Sequence, residues 1–199
     1  MGRKKCAILF GTMLFLAILL GCILLKKIKI NMFVANLYPV QGIDVSHYQG
    51  DIDWEMLENQ GIDFAYVKAT EGSSFVDERF TENWAGAGAT AMKIGAYHFF
   101  SFDSEGETQA QNYIDTVGEL SGKLLPVVYY KYLEGEFEEY PLWIRDVYLW
   151  PDIALKDKWI LWQYSDTSVL KGYQGTERYI DRNAFDGGME ELNKITVPI

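Results

Sequence analysis

Apolar strand-like runs alternate with helix-like segments across most of the chain, and this alternation constrains the fold more than any other feature. The strand-like runs are Val40–Val45, Ile62–Ala69, Ile94–Phe100, Leu124–Tyr130, Leu142–Tyr148, Trp159–Tyr164 and a short final run at Tyr179–Ile180. The predicted helices are Asp53–Asn59, capped by Asp53 and ended by Gly61, Thr81–Met92 and Glu107–Val117. Strands that alternate with helices of this kind form βαβ units and a parallel sheet. We therefore predict an α/β fold, an incomplete TIM-like (β/α) barrel over residues 40–199.

The N-terminal part of the chain carries a long apolar run. Residues 6–25 contain no charged side chain and have basic residues on both sides. A helix of 20 residues is roughly 30 Å long, which matches the hydrocarbon core of a bilayer. We predict a transmembrane helix over residues 6–25, after a short cytoplasmic tail (residues 1–5) and before a stalk (residues 26–39). The segment Leu19-Leu20-Gly21-Cys22 resembles a lipoprotein box, so a lipid anchor at Cys22 is the alternative.

Charge and cysteine content exclude several classes of function. The net charge is −10, and residues 1–40 hold six basic and no acidic residues, so the domain itself is strongly acidic. Such a surface repels nucleic acid phosphates. Both cysteines, Cys6 and Cys22, lie in the apolar run, and the domain has only two histidines. We therefore expect no disulfide framework, no metal site and no cofactor, in a monomeric domain.

The ends of the predicted strands carry acidic and aromatic side chains. In (β/α) barrels the chemistry lies at the carboxyl ends of the strands. The residues expected at that edge are Asp44, Glu71, Tyr97, Trp162, Tyr164 and Asp181. Aromatic rings stack on the apolar faces of sugars, and carboxyl groups bond to hydroxyls or donate protons. This combination indicates a carbohydrate site.

Six segments around these residues resemble glycoside hydrolase family 25, the muramidases, in the order that the family shows. They are Gly42-Ile43-Asp44-Val45-Ser46, Phe64 to Gly72, Gly95-Ala96-Tyr97-His98-Phe99, Pro141-Leu142-Trp143-Ile144, Trp162-Gln163-Tyr164 and Ile180-Asp181-Arg182-Asn183. The resemblance implies hydrolysis of the β-1,4 bond between N-acetylmuramic acid and N-acetylglucosamine. It makes Asp44 and Asp181 the catalytic candidates, and Glu71, Tyr97, Trp162 and Tyr164 the residues that line the glycan groove.

One segment departs from the family. After a stretch like Leu125-Pro126-Val127-Val128, the family carries an Asp-x-Glu motif whose Glu is taken as the general acid, whereas this chain continues Tyr129-Tyr130-Lys131. The next residues resemble a later part of the family. We interpret the gap as an internal deletion that removes one helix and most of one strand. The acidic run Glu134–Glu139 is more typical of a solvated helix end than of a replacement for the lost acid.

Several of these residues also have structural explanations. Asp44 could cap a turn, Glu71 could lie in a plain loop, and core packing explains at least one of Trp162 and Tyr164. We expect His98 to be a hydrogen-bonded structural residue. For the whole chain, the main hypothesis is a membrane-tethered member of this lysozyme family, directed at the β-1,4 bonds of peptidoglycan on the extracellular side of the cell membrane, with its hydrolytic competence questioned by the missing acid. The alternatives are a non-catalytic wall-binding module and a non-functional truncated product.

Overall fold

The computed structural model describes residues 2–24, 31–126, 128–130, 142–148, 151 and 159–198. The helices are α1 (Arg3–Leu24), α2 (Asn31–Ala35), α3 (Trp54–Glu58), α4 (Phe80–Gly88), α5 (Gly106–Val117) and α6 (Met189–Lys194), with a 3-10 helix at His47–Gln49. The strands are β1 (Val40–Val45), β2 (Asp51–Ile52), β3 (Phe64–Glu71), β4 (Phe75–Val76), β5 (Lys93–Phe99), β6 (Val128–Tyr130), β7 (Leu142–Arg145), β8 (Trp159–Ser168), β9 (Tyr173–Gln174) and β10 (Ile180–Phe185).

The fold is mixed α/β, built on one curled sheet that forms half of a barrel. Across the sheet the strands follow the order β5, β3, β1, β10, β8, β7 and β6, and β4 adds a short antiparallel pair at the end of β3. Within the described residues, β5 and β6 do not pair with each other, so the sheet stays open there. The prediction of an incomplete barrel is confirmed only at this coarser level.

The direction of the last strand differs from the prediction. β1, β3 and β5 are parallel to one another, as are β6, β7 and β8. β10, however, is antiparallel to both of its neighbours, β1 and β8. A parallel return to the sheet needs a crossover of a dozen or more residues, usually a helix. The stretch from β8 to β10 contains only the two-residue strand β9, which explains why β10 runs the other way.

Most of the other predicted elements are present with changed ends. Asp53 caps α3 as expected, because its Oδ1 accepts the backbone N–H of Met56 at 2.9 Å. Among the described residues of the predicted strand Leu124–Tyr130, the regular part is β6 at its end. The final strand is six residues long rather than the short run expected. Lys131 and the acidic run Glu134–Glu139 lie outside the described residues.

Side chains alternate between the two faces of the curled sheet. The inner face buries large rings, among them Phe64 and Tyr66 of β3, Trp143 of β7 and Phe185 of β10. The outer face of β1, β3 and β5 packs against α3, α4 and α5. The outer face of β7 and β8 packs against residues of α2 and the turn that follows it. Apolar side chains therefore pack on both faces of the sheet. The polar side chains of the inner face lie at one edge of the sheet.

The N-terminal helix α1 covers nearly all of the apolar run. Its side chains, where described, are largely exposed. No helix among the described residues is both long enough and apolar enough to cross a membrane. The transmembrane helix predicted over residues 6–25 is therefore not supported.

Candidate active site

Asp44 and Asp181 face each other across neighbouring strands. Asp44 lies near the carboxyl end of β1, and Asp181 is its register partner near the start of β10. We expected Asp181 at the end of a parallel strand. Because β10 is antiparallel, its beginning lies beside the end of β1, and the same edge of the sheet receives both side chains. The predicted proximity is thus observed, although the strand direction used to argue for it was wrong.

Amide side chains hold the two carboxyl groups in place. Gln163 Nε2 of β8 donates to Asp44 Oδ2 at 2.9 Å and to Asp181 Oδ2 at 3.1 Å. Asn183 Nδ2 of β10 donates to the same Asp44 oxygen at 2.7 Å. Asn183 is itself fixed, because its Oδ1 accepts the indole N–H of Trp143 at 2.8 Å. Gln163, Asn183, Trp143 and Asp44 are all buried, so each hydrogen bond lies away from competing water.

Burial raises the proton affinity of both carboxyl groups, and the nearby charge of Asp44 also raises that of Asp181. Burial is the main cause that raises the pKa of Asp44, and the hydrogen bonds from Asn183 and Gln163 oppose it. For Asp181, burial and then the charge of Asp44 raise the pKa to about 8, and Arg145 lowers it in part. Two close carboxylates cannot both ionise cheaply away from water. A pKa of about 8 keeps a proton on Asp181 at neutral pH.

A cleft of about 360 Å³ opens over this pair. Its aromatic lining comes from Tyr48, Tyr97, Phe99 and Tyr179, and its charged lining from Asp44, Asp181, Asp166, Glu177 and Lys68. Burial, and then the nearby charges of Asp44 and Asp181, raise the pKa of Tyr97 well above its usual value, so its hydroxyl stays a donor. The cleft can thus stack sugar rings and bond to their hydroxyls above a protonated carboxyl pair.

Of the two predicted groove residues Glu71 and Tyr97, only Tyr97 lines the cleft. Tyr97 lines the cleft as predicted, whereas Glu71 lies at the end of β3 and is not among the lining residues. Glu71 Oε2 is 2.5 Å from Lys68 Nζ, and that lysine lines the cleft instead. The Lys68 ammonium also lies about 5 Å from the ring centres of Phe75 and Phe99. Lys68 could have been found from the alternation along β3, which turns it inward beside Tyr66.

Trp162 and Tyr164 do not line the cleft. Trp162 is fully buried and its Nε1 donates to the Asp146 carbonyl at 2.9 Å. The Tyr164 hydroxyl donates to Gln41 Oε1 at 2.9 Å. Both pack in the outer layer of the sheet because Gln163, between them on β8, faces inward. The structure thus corrects their predicted place in the groove, and the core-packing alternative describes both.

His98 has the structural role that we expected. Its Nε2 is 3.0 Å from Gln109 Oε1, and its Nδ1 is 2.7 Å from the hydroxyl of Thr70. Gln109 Nε2 donates to the carbonyls of Ser101 and Ser104, which fixes the amide orientation. Nε2 of His98 must therefore carry the proton, and Nδ1 accepts from Thr70. Both ring nitrogens are occupied in the fold.

The described part of the chain shows no group of three or more His, Cys, Asp or Glu side chains that could hold a metal ion. The other histidine, His47, pairs through Nδ1 with the buried carboxylate of Asp77 at 2.7 Å.

Comparison with known proteins agrees with this geometry. The sequence profile of Glycosyl hydrolases family 25 matches residues 43–129. The uncharacterised protein YegX of Escherichia coli K12 is 32% identical over 200 residues, covering 78% of this chain and 72% of YegX. Lysozyme M1 of Streptomyces globisporus is 43% identical over 84 residues, covering 42% of this chain and 29% of that lysozyme.

Solved structures give the same assignment. A family 25 glycosyl hydrolase from Bacillus anthracis superimposes with a TM-score of 0.72 at 37% identity, covering 80% of this chain and 94% of the other. A lysozyme from Streptomyces coelicolor gives a TM-score of 0.67 at 25% identity, covering 79% and 96%. By its sequence, its curled sheet and its paired aspartates, the chain belongs to glycosyl hydrolase family 25, the family of lysozymes and muramidases.

Proposed function

We propose that the cleft binds the glycan strand of peptidoglycan and cleaves its β-1,4 bond between N-acetylmuramic acid and N-acetylglucosamine only weakly. The observation that carries this proposal is the contrast between two strand ends. Asp44 near the end of β1 and Asp181 near the start of β10 remain paired, whereas the sequence Val128-Tyr129-Tyr130-Lys131 contains no carboxylate. The chain thus keeps a sugar-binding surface and lacks part of the hydrolytic machinery.

Aromatic exposure supports glycan binding. Tyr48 and Phe99 line the cleft and are 53% and 57% exposed, so part of each ring is accessible to a sugar. Exposed rings that gather along a cleft, rather than being scattered singly over the surface, are typical of a binding site. Relatives that carry the names lysozyme and N,O-diacetylmuramidase support the same proposal.

We expect cleavage to be weak because the general acid of the family is missing from this sequence. Glycosidic cleavage needs a carboxylic acid that protonates the leaving oxygen and a second carboxylate that assists the positive centre. General acid help accelerates such reactions by roughly 10²–10⁴-fold. The family resemblance puts that acid in an Asp-x-Glu motif after Val128, and the nearest acidic residue beyond it here is Glu134.

The lengths of the alignments support a deletion at this point. The family match ends at residue 129, one residue past Val128. The alignment with YegX extends over 200 positions but includes only 78% of the 199 residues of this chain. Several tens of those positions therefore have no residue in this chain. Resequencing the gene across codons 126–134 tests the gap directly, and finding an Asp-x-Glu segment there would overturn the proposal of weak cleavage.

The experiment on function uses the full chain and purified cell walls. We expect the protein to pellet with the walls while the turbidity of the suspension hardly falls. Combining Tyr48→Ala with Phe99→Ala should weaken pelleting by more than tenfold. Phe33→Ala is the matched control, because this ring is 76% exposed on α2, a helix that packs on the outer face of the sheet. Equal pelleting of all variants would contradict glycan binding in the cleft.

Full hydrolysis is the second candidate, and the proton on Asp181 favours it. A carboxyl group with a pKa of about 8 can donate a proton at neutral pH. If the walls clear quickly and clearing disappears in Asp44→Asn, the chain is an effective muramidase and weak cleavage is wrong. A non-functional product would instead show neither pelleting nor a cooperative thermal transition.

The location of the protein follows from the proposed substrate. Because peptidoglycan lies outside the cytoplasmic membrane, we propose that residues 40–199 face the cell wall. A protease added to intact cells should then degrade the domain, and full protection of the domain would contradict this location. The monomeric state stays a prediction, which light scattering on the purified protein measures.

A further inference from the structure

Gln163 makes side-chain hydrogen bonds only to the two aspartates, as far as the described residues show. Its Nε2 donates one N–H to Asp44 and the other to Asp181. Its Oε1 is buried and finds no donor among the described residues. A buried amide oxygen without a hydrogen-bond donor lowers the stability of the fold, unless the hydrogen bonds of the amide nitrogen compensate for this cost. The geometry therefore points to the carboxyl pair as the reason for a glutamine at this position.

The shared donor sets an upper limit on the distance between the two acids. Both Oδ2 atoms lie about 3 Å from one nitrogen, so they are at most ~6 Å apart. Two carboxylates this close in a buried site keep one proton between them. Because β1 and β10 already place the two aspartates in register, Gln163 acts on the charge of the pair, since its two N–H groups stabilise the ionised form of both acids.

The hydrogen bonds also decide which aspartate is ionised. Asp44 Oδ2 accepts from both Gln163 and Asn183, whereas Asp181 Oδ2 accepts from Gln163 alone among the bonds of the described residues. Hydrogen bonds donated to a carboxyl group favour its charged form. The charge therefore belongs on Asp44 and the proton on Asp181.

We propose that Gln163 is a positioning residue, which holds Asp44 and Asp181 as one proton-sharing pair and so sets the pH at which the cleft gains a second negative charge. The proposal deepens the proposed function of the same cleft. It concerns the paired carboxyl groups themselves, and it holds whether or not the bound polymer is peptidoglycan.

The other charged groups around the pair are largely compensated. On β3, Lys68 is paired with Glu71, and on β7, Arg145 is paired with Asp166 of β8 at 2.8 Å. Tyr97 of β5 faces the pair as a neutral phenol. Glu177 also lines the cleft, beyond β9. A change of charge near pH 8 in the cleft is thus expected from Asp181.

The test is an NMR titration of the full chain with ¹³C-labelled aspartate carboxyl groups. In the wild type we expect one carboxyl to titrate near pH 8. Gln163→Met removes the donor to both acids, so that midpoint should move upward by about one pH unit. Gln163→Asn keeps an amide, but its side chain is too short to reach both aspartates, so a smaller upward shift of the midpoint is expected. This variant replaces Gln163→Met in the test if the methionine variant does not fold.

The control replaces a second glutamine, the half-buried Gln41, by methionine. Gln41 Nε2 donates to the carbonyls of Ala35 and Tyr38, away from the cleft, so Gln41→Met should lower stability without moving the midpoint. In an Asp181→Asn background the titration near pH 8 should disappear, with or without Gln163. An unchanged midpoint in Gln163→Met, or an equal shift in Gln41→Met, would sink the proposal.

Pelleting with cell walls at pH 7 is measured separately on the same variants. A shifted titration without any pelleting would leave the positioning role of Gln163 intact and contradict glycan binding. Pelleting with an unshifted titration would contradict the positioning role alone.

Discussion

Asp181 links the stability of the fold to pH. In the unfolded chain an aspartate loses its proton near pH 4, whereas in the folded chain the pKa of Asp181 is raised to about 8. Between these values the folded state binds a proton that the unfolded state has released. The free energy of unfolding therefore falls as pH rises through this window, and the loss from this group levels off above pH 8.

Asp181→Asn should flatten this part of the stability curve, because asparagine does not titrate. We expect the wild-type Tm to fall by about 3 °C or more between pH 5 and pH 8, since ~1 kcal/mol moves Tm by roughly 2–4 °C in a chain of this size. The fall should be clearly smaller in Asp181→Asn. Asp103→Asn, at an exposed position, is the control and should keep the wild-type slope. Identical slopes in all three proteins would refute the linkage.

Trp143 supports the site through one hydrogen bond. Trp143→Phe removes the N–H that Asn183 Oδ1 accepts, and leaves that buried acceptor without its partner. The expected loss in free energy of unfolding is about 2–4 kcal/mol, from the lost bond and the smaller ring.

Trp159→Phe is the matched control for this substitution. Trp159 is equally buried, but its Nε1 finds no acceptor among the described residues, so removing the N–H should be less destabilising. Urea titration of both variants gives the comparison. A larger loss in Trp159→Phe would mean that the bond to Asn183 contributes little.

The residues of the site were predictable to different degrees. The motifs around Asp44, Tyr97 and Asp181 identified those three positions. Trp162 and Tyr164 belong to an equally recognisable motif, yet they point away from the cleft because strand side chains alternate. That alternation selects Gln163 as the inward residue of the motif. Polar amides of this kind are hard to recognise in sequence because their role depends on a partner far along the chain.

At the scale of elements, close packing inside the curled sheet depends on glycine. A Cβ built on Gly95 of β5 would lie 2.5 Å from the ring of Tyr66, and one on Gly42 of β1 would overlap the ring of Phe64. These glycines leave room on the inner face for the rings of the strand between them, β3. The sequence marked both positions as parts of motifs, but only the strand register shows which rings they face.

Gly95→Ala should therefore destabilise the fold by about 1–3 kcal/mol, because the ring of Tyr66 must shift within a packed core. Gly106→Ala, at the start of α5, is the control: a Cβ there meets no atom within 4 Å, so the effect should be neutral or slightly stabilising. Chemical unfolding measures both. Equal stabilities would show that the inner face has spare room beside Tyr66.

Strand direction could not be read from the alternation of elements alone. The sequence correctly indicated an α/β sheet from its first half, where helices separate β1, β3 and β5. The same rule fails at β10, since no helix precedes it after β8. The length and composition of that connection contain the information, because a connection without a helix favours an antiparallel return.

At the scale of the whole molecule, the open side of the sheet is partly closed by the C-terminal segment. Leu124 donates to the Ile94 carbonyl on β5, and Leu125 donates to the Ile195 carbonyl, both at 2.8 Å. Gly122 and Val197 complete this contact, because Gly122 donates to the Val197 carbonyl and Val197 to the Lys123 carbonyl. The residues before β6 are thus held to β5 on one side and to the C-terminal segment on the other.

Removing residues 195–199 should therefore lower the free energy of unfolding by roughly 2–4 kcal/mol, through three backbone hydrogen bonds and the apolar contact of Ile195 with the inner core. A chain that ends at Val197 is the matched control and should keep most of the stability, because it retains all three bonds. Hydrogen exchange should show faster exchange at Gly122 and Leu125 only in the shorter chain. If both truncations unfold at the same urea concentration as the full chain, the segment does not stabilise the open side, and β5 and β6 must be held by the rest of the sheet alone.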